Sequence, residues 1–164
     1  MKKNLEMYCL TLDHNHYSAI KKLNYNPVGL GNKPFPNYWL TDKKRKNISK
    51  KNKYYGEYTF HYWIWKNYLP KIDKNKWVGF CQYRKFWTIK NFNLKKNLNI
   101  VELNRLTIKN IPSKFNKYDA IIGSPLYINQ FRFSKFIKKA FLEMLLNPSL
   151  FFNKKKRNIK FHFD

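Results

Sequence analysis

Residues 47–67, NISKKNKYYGEYTFHYWIWKN, carry a Phe, Tyr or Trp ring at a third of their positions and a single acidic residue, Glu57. Whether these rings are core, a stacking surface or the wall of a binding site decides what kind of molecule this is. Ser49 or Asn52 is placed to cap a helix by accepting a hydrogen bond from an unpaired first-turn N–H, and the pattern predicts one helix to about Tyr68. Tyr55, Tyr58, Tyr62, Trp65 and Leu69 recur at steps of three and four, the period of one apolar face, while Phe60, Trp63 and Asn67 point elsewhere. The expectation is a wall buried through Tyr58, Tyr62 and Trp65, each ring contributing about 1.5 to 3 kcal/mol, with its two ends lining a crevice. Glu57 and His61 are four apart and share a face; they read as a helix-surface pair or, in so carboxylate-poor a chain, as part of a site.

Working outward, Pro70 ends this helix and WVGFCQY (77–83) reads as a largely buried strand followed by the basic-aromatic turn RKFW. On the other side, EMYCLTLD (6–13) is a short apolar run ending on Asp13, and HNHYSAIKKLNY (14–25) reads as a helix with Asn15 or Ser18 near its start. PVGLGNKPFP (27–36) holds three prolines and two glycines, too many for either regular element, and is expected to be a shaped loop. TDKKRKNISKKNK (41–53) reads as an exposed basic stretch. NIVELNRLTIKNIPSKF (99–115) has a helical pattern broken at Pro112, YDAIIGSP (118–125) reads as a buried strand, and FRFSKFIKKAFLEMLLN (131–147) as an amphipathic helix stopped by Pro148. The tail SLFFNKKKRNIKFHFD (149–164) alternates apolar and basic residues like the start of a strand or a lid. Strands alternating with helices indicate an α/β layered fold. The 164 residues suit one domain with one core, its sheet incomplete at the C-terminus.

Lys and Arg total 34 against 9 Asp and Glu, a net charge of +25, which raises nucleic acid or an anionic membrane as partners. Lys far outnumbers Arg and is spread along the chain, however, and the enriched residue types share A/T-rich codons. That is the pattern of a solvated surface more than of a phosphate-reading groove, for which Arg is favoured. Cys9 and Cys81 sit in apolar runs at no metal-ligand spacing and read as buried thiols of a reducing compartment. The basic N-terminus is too polar for a signal peptide, and no apolar run reaches about 18 residues. A cytoplasmic protein is expected, with peripheral contact at an anionic inner membrane face as a further expectation.

There is no P-loop, no G-x-G-x-x-G, no nucleophile elbow, no H-E-x-x-H and no zinc spacing, which argues against hydrolase and dehydrogenase chemistry. His14 and His16 bracket Asn15 but lack a third ligand, and read as an exposed loop. What remains is polar residues at the ends of apolar elements: Asp13, Asn47, Ser49, Asn52, Lys66, Asn67, Gln82, Arg84 and Lys85. Ligands of open α/β sheets bind at strand C-terminal ends, where Asp13, Gln82 to Lys85 and Ser124 are expected. A helix start at Ser49 to Lys53 adds free N–H groups suited to an anion. An anionic small molecule such as a nucleotide sugar fits such a crevice.

Asn47-Ile48-Ser49, Lys51-Asn52, Tyr54-Tyr55, Glu57, Thr59 and Tyr62-Trp63-x-Trp65-Lys66-Asn67 resemble, in register, the N-I-S-x-K-N-x-Y-Y-x-E-x-T-x-x-Y-W-x-W-K-N signature of the domain-of-unknown-function 4422 family. WVGFCQYRKFW (77–87) is similar to that family's G-x-x-H-Y-R-R-Y/F segment and YDAIIGSP to its Y-D-x-I-x strand. The resemblance implies a glycosyltransferase of capsular, O-antigen or exopolysaccharide assembly, some relatives being galactofuranosyltransferases, with a GT-A-like α/β fold. It implies a UDP-sugar donor held by Asn47, Ser49, Lys51, Asn52, Lys66, Asn67, Gln82, Tyr83, Arg84 and Lys85, and a glycan or lipid-linked glycan acceptor. Gln82 stands where the family has His, and Lys85 where it has Arg, a point charge in place of a bidentate fork. The family continues with a block absent here, so the chain is expected to be a truncated, donor-side portion that does not turn over donor alone.

Sugar transfer needs the leaving diphosphate neutralised and, for an inverting enzyme, a carboxylate to deprotonate the acceptor. Arg84, Lys85, Lys51 and Lys66 suit the first task. Among carboxylates Asp13, Asp42, Glu57 and Asp119 are placed for the second, Glu57 and Asp13 foremost, while Asp119 reads as a turn residue. No D-x-D motif occurs, so nothing in the sequence demands a metal and the cofactor stays unassigned. The competing readings are a basic, aromatic module stacking on single-stranded nucleic acid, with no specific nucleic acid expected, and an inactive transferase remnant.

Overall fold

The computed structural model describes residues 4–73, 75–88 and 98–123, together with Phe141, Leu145, Leu146 and Pro148. The chain divides into two compact units, Met1–Ile122 and Gly123–Asp164. In the second, Leu145 and Leu146 are helical and exposed; the rest of the helix expected over 131–147, the tail 149–164 and Ser124 lie outside the described residues.

The first unit is built on strand β1, Leu5–Thr11, whose residues 7–11 are all buried. A run buried on both faces is what a central parallel strand requires, and β1 has parallel neighbours on each side. After a 3-10 turn at His14–His16, helix α1 (Tyr17–Lys22) crosses over to β2 (Asn26–Gly29), which pairs parallel to β1 with Leu10 opposite Val28. The two-residue β3 (Leu40–Thr41) extends the sheet beyond β2. The chain then forms a short helix α2 (Asn52–Tyr55) and a longer one, α3 (Tyr58–Asn67), and returns as β4 (Trp77–Gln82) on the opposite side of β1, with Cys9 opposite Cys81 and Leu10 opposite Gln82. The strand order is β3-β2-β1-β4, all parallel. Helix α4 (Ile100–Leu106) follows, capped by a reciprocal pair in which Asn99 accepts from Val101 and Glu102 N–H and Glu102 accepts from Asn99 N–H.

Because successive β-strand side chains face opposite ways, β1 feeds two separate core layers. Met7 and Cys9 join Cys81, Trp39 and the α1 residues Ile20 and Leu23 on one face. Tyr8 and Leu10 join Val28, Leu30 and the α3 residues Phe60 and Ile64 on the other. Cys9 and Cys81 are free, buried thiols. Helix α3 runs antiparallel to the strands: Tyr68, just past its end, donates its hydroxyl to Glu6 Oε2 (2.6 Å) at the start of β1, while Glu57, just before it, meets Gln82 at the end of β4.

Four expectations are corrected. The helix over 49–68 is not continuous: a 3-10 turn at Ser49–Lys51 leads into α2, and Gly56 breaks the path at φ 52°, ψ −129° before α3 begins. The buried face of α3 is Thr59, Phe60 and Ile64, with Tyr62 and Trp63 partly buried, and not Tyr58 and Trp65, which are 63% and 55% exposed. Aromatic rings on every side of the helix made periodicity unable to choose between the faces, and the choice fell to the rings that meet Tyr8 and Phe80, as Phe60 does. Pro27–Gly29 is strand, not loop: Pro27 pairs with Cys9 only, whereas Val28 and Gly29 pair on both sides, so the missing proline N–H is tolerated where a second neighbour is absent. Finally, 118–123 forms no strand, and Tyr118 and Ile122 are exposed; a short apolar run needs a neighbour to pair with, and the described residues offer it none.

Candidate functional site

The chain goes from β1 to β2 and β3 on one side and then to β4 on the other, so the sequence direction reverses between β1 and β4. In open α/β sheets that reversal opens a crevice at the strands' carboxyl ends, and here two polar clusters stand at those ends.

The first is made by the turn after β1. Thr11 Oγ1 accepts the Asp13 N–H (3.1 Å) and shares a 2.8 Å hydrogen bond with His16 Nδ1. Asp13 caps the following 3-10 turn by accepting the Asn15 N–H at 2.9 Å, and this bond holds its carboxyl below the usual carboxylate range. His16 Nε2 lies 3.8 Å from Asp13 Oδ2, and its ring stacks on Tyr83 with centroids 3.6 Å apart at 12°. Tyr83 is itself held at the end of β4 by its N–H, which donates to Leu10 O at 3.0 Å. The hydrogen bond at Nδ1, the Asp13 carboxylate near Nε2 and the Tyr83 ring fix the imidazole from three sides.

The second cluster joins the start of α3 to the end of β4. Gln82 donates its amide to Glu57 Oε2. His61, one turn along α3, lies against Phe80 with ring centroids 4.3 Å apart, and burial depresses its pKa below 6.5 against the opposing pull of Glu57. Beyond Gln82 the chain turns tightly, Lys85 N–H donating to Gln82 O at 2.9 Å, which places Arg84 and Lys85 exposed beside both clusters.

Of the residues singled out in sequence, Asp13, Glu57, Gln82, Tyr83, Arg84 and Lys85 thus share the carboxyl edge. Asn52 lies close by: its Oδ1 would be 3.6 Å from a β-carbon at Gly31, just after β2. Its amide is already engaged, donating to Gly56 O and to Thr59 Oγ1. Neither Ser49 nor Asn52 caps a helix through its side chain; Asn47 Oδ1 instead accepts from Ser49 N–H and hydroxyl. The side-chain cap expected at this helix start is therefore corrected, and α2 itself is only four residues long.

Asn47 and Asn67 are engaged by the basic loop that precedes α2, and Lys66 by the Trp65 ring. Asn47 donates to Lys43 O and Arg45 O, and Asn67 to Lys46 O, while Trp63 Nε1 donates to Lys44 O, so these side chains strap the basic 43–46 loop along α3. Lys66 and Asn67 end α3, about 15 Å along its axis from Glu57, at the amino edge of the sheet. Lys51 is exposed on the 3-10 turn before α2. Asp42 is buried with neither oxygen hydrogen-bonded, and Asp119 is exposed outside any strand.

The sequence reading missed His16 and Thr11. An exposed His-x-His loop was expected, yet His16 is partly buried between Thr11 and Tyr83. The signal available was an Asp-x-x-His spacing directly after a buried strand. Among the described residues no group of three or more His, Cys, Asp or Glu could hold a metal ion, and no helix is long and apolar enough to cross a membrane.

Comparison with known proteins gives a match to one family model, described as "Domain of unknown function (DUF4422)", over residues 8–150. No curated protein and no solved structure matches.

Proposed function

The chain belongs to the DUF4422 domain family, and from that premise we propose that it is a glycosyltransferase with a GT-A-like donor site, moving a hexose from a UDP-sugar to a growing surface polysaccharide in the cytoplasm. The observation that carries this reading is that the Asp13–His16 and Glu57–Gln82 pairs stand at the carboxyl ends of the neighbouring strands β1 and β4, with Arg84 and Lys85 exposed in the turn after β4. The choice of a sugar nucleotide among anionic ligands rests on the resemblance of the 47–67 and 77–87 segments to capsular transferases.

In the proposed reaction an acceptor hydroxyl gives its proton to the Asp13 carboxylate, and the acceptor oxygen bonds the anomeric carbon. The bond from that carbon to the diphosphate breaks, and its electron pair leaves with UDP. Arg84 and Lys85 take up the charge that accumulates on the diphosphate. Asp13 is the better placed base, because its side chain is 46% exposed whereas Glu57 already receives the Gln82 amide. Glu57 then positions Gln82.

The test is calorimetric titration with UDP and UDP-hexoses, against a single-stranded oligonucleotide, at physiological salt. UDP should bind, and Arg84→Ala should weaken it by about 10- to 150-fold, the loss of a charged hydrogen bond of about 1.5 to 3 kcal/mol. Oligonucleotide binding should collapse as salt rises. No UDP response together with salt-resistant, sequence-dependent oligonucleotide binding would overturn the transferase reading in favour of the nucleic-acid module.

A further inference from the structure

Of the rings that periodicity assigned to the core, Tyr58 and Trp65 are exposed and Tyr62 is partly buried. Tyr58, Tyr62 and Trp65 fall within about 60° of one another around α3 at 100° per residue, on the side opposite Phe60 and Ile64, and Leu69 continues the line. Tyr54 and Tyr55 on α2 are also exposed. Isolated surface rings need no explanation, but a run of this kind marks an interaction surface.

Its chemistry narrows the partner. Between residues 43 and 72 the only carboxylate is Glu57, which is turned inward to Gln82. Lys50, Lys51 and Lys53 are exposed on the 3-10 turn and short helix that lead into α3, and Lys66 lies across Trp65 with Nζ 3.2 Å from the ring centroid. A second copy of the chain would bring a like-charged face, at +25 per chain, against this one. A nucleic-acid strand would stack bases on open ring faces in a groove, yet the Trp65 face is already covered by Lys66 and the rings stand on the convex ridge of a helix. Tyr and Trp beside lysines on a ridge are the residues that settle at the headgroup level of a bilayer, rings inward and ammonium groups outward.

We propose that the Tyr58–Tyr62–Trp65 ridge of α3, flanked by Lys50, Lys51, Lys53 and Lys66, docks the protein on an anionic lipid bilayer. The inference is independent of the reaction at the β1/β4 crevice, and its test needs no sugar donor.

The full chain is sedimented with phosphatidylcholine vesicles with and without phosphatidylserine, at physiological salt. Charge alone would draw this protein to anionic vesicles, so the deciding variant is the double substitution Tyr58→Ser with Trp65→Ser, checked for an unchanged circular dichroism melt. It should bind phosphatidylserine vesicles at least about tenfold more weakly than the parent, since removing buried ring area costs the partitioning directly. On the unmodified chain, brominated lipid should quench tryptophan fluorescence, and Trp65→Phe should abolish most of that quenching while keeping vesicle binding. Equal vesicle binding by parent and double variant, or quenching that survives Trp65→Phe, overturns the proposal. So does a double variant that loses oligonucleotide binding or self-association but not vesicle binding, because the ridge then serves another partner.

Discussion

At the scale of single residues, Phe60 and Trp65 show how burial separates two rings of one helix. Phe60 is 0% exposed and meets Tyr8, Trp63 and Phe80, so Phe60→Ala should cost about 3 to 5 kcal/mol. Trp65, more than half exposed, should cost about 1 kcal/mol or less. Urea denaturation of the two variants checks the pair, and equal losses would mean that the Trp65 ring is covered. His61 adds a pH dependence. Burial lowers its folded pKa below the unfolded value of 6.5, so the unfolded chain takes the proton first. The stability associated with neutral His61 is present above 6.5 and is lost as pH falls through the folded value. His61→Phe should flatten the stability profile below about pH 6.5, measured as the melting temperature against pH; an unchanged profile would assign the acid sensitivity elsewhere. Neither the burial of Phe60 nor the pairing of His16 was legible in sequence, because both depend on which strand residue lies opposite.

At the scale of elements, the expected strand and helix signals had different fortunes for physical reasons. The strands at 5–11 and 77–82 were legible as apolar runs too short for a helix, but only the first is largely buried; of the second, Cys81 alone is buried and the rest is partly so. The helix at 58–67 was legible in existence and not in extent or facing. Its start is set by Gly56, whose φ of 52° with ψ of −129° is a conformation that side-chain-bearing residues rarely adopt. The turn is fastened by the Asn52 amide to Gly56 O at 2.8 Å and by Thr59 Oγ1, which donates to the same carbonyl at 3.0 Å. A β-carbon at Gly56 would meet no atom within 4 Å, so the cost of Gly56→Ala is backbone strain alone, about 1 to 3 kcal/mol. A melt of Gly56→Ala indistinguishable from the parent would show that α2 and α3 merge into one helix after all. Because this turn aims Glu57 at Gln82, the same variant should also weaken UDP binding if the crevice is the donor site.

At the scale of the molecule, +25 charges on 164 residues repel one another in the folded state more than in the expanded chain. Moderate sodium chloride should therefore raise the melting temperature, and a melt insensitive to salt would mean that the charges are already compensated. The sequence by itself determined that the chain folds, that it alternates strands and helices, and that Asp13 and Gln82 to Lys85 stand at strand ends, because hydrophobic run length and turn chemistry are local properties of the chain. Tertiary structure alone decided that β4 lies beside β1 and not beside β3, and thereby placed the Asp13–His16 and Glu57–Gln82 pairs at the carboxyl ends of two neighbouring strands. It also decided that Phe60 faces the sheet and Trp65 the outside. The reason is the same in both cases: a helix aromatic all round, and strands apolar throughout, specify burial without specifying against what, and only the pairing of β1 with its neighbours supplies the surface that makes one choice lower in free energy than the other.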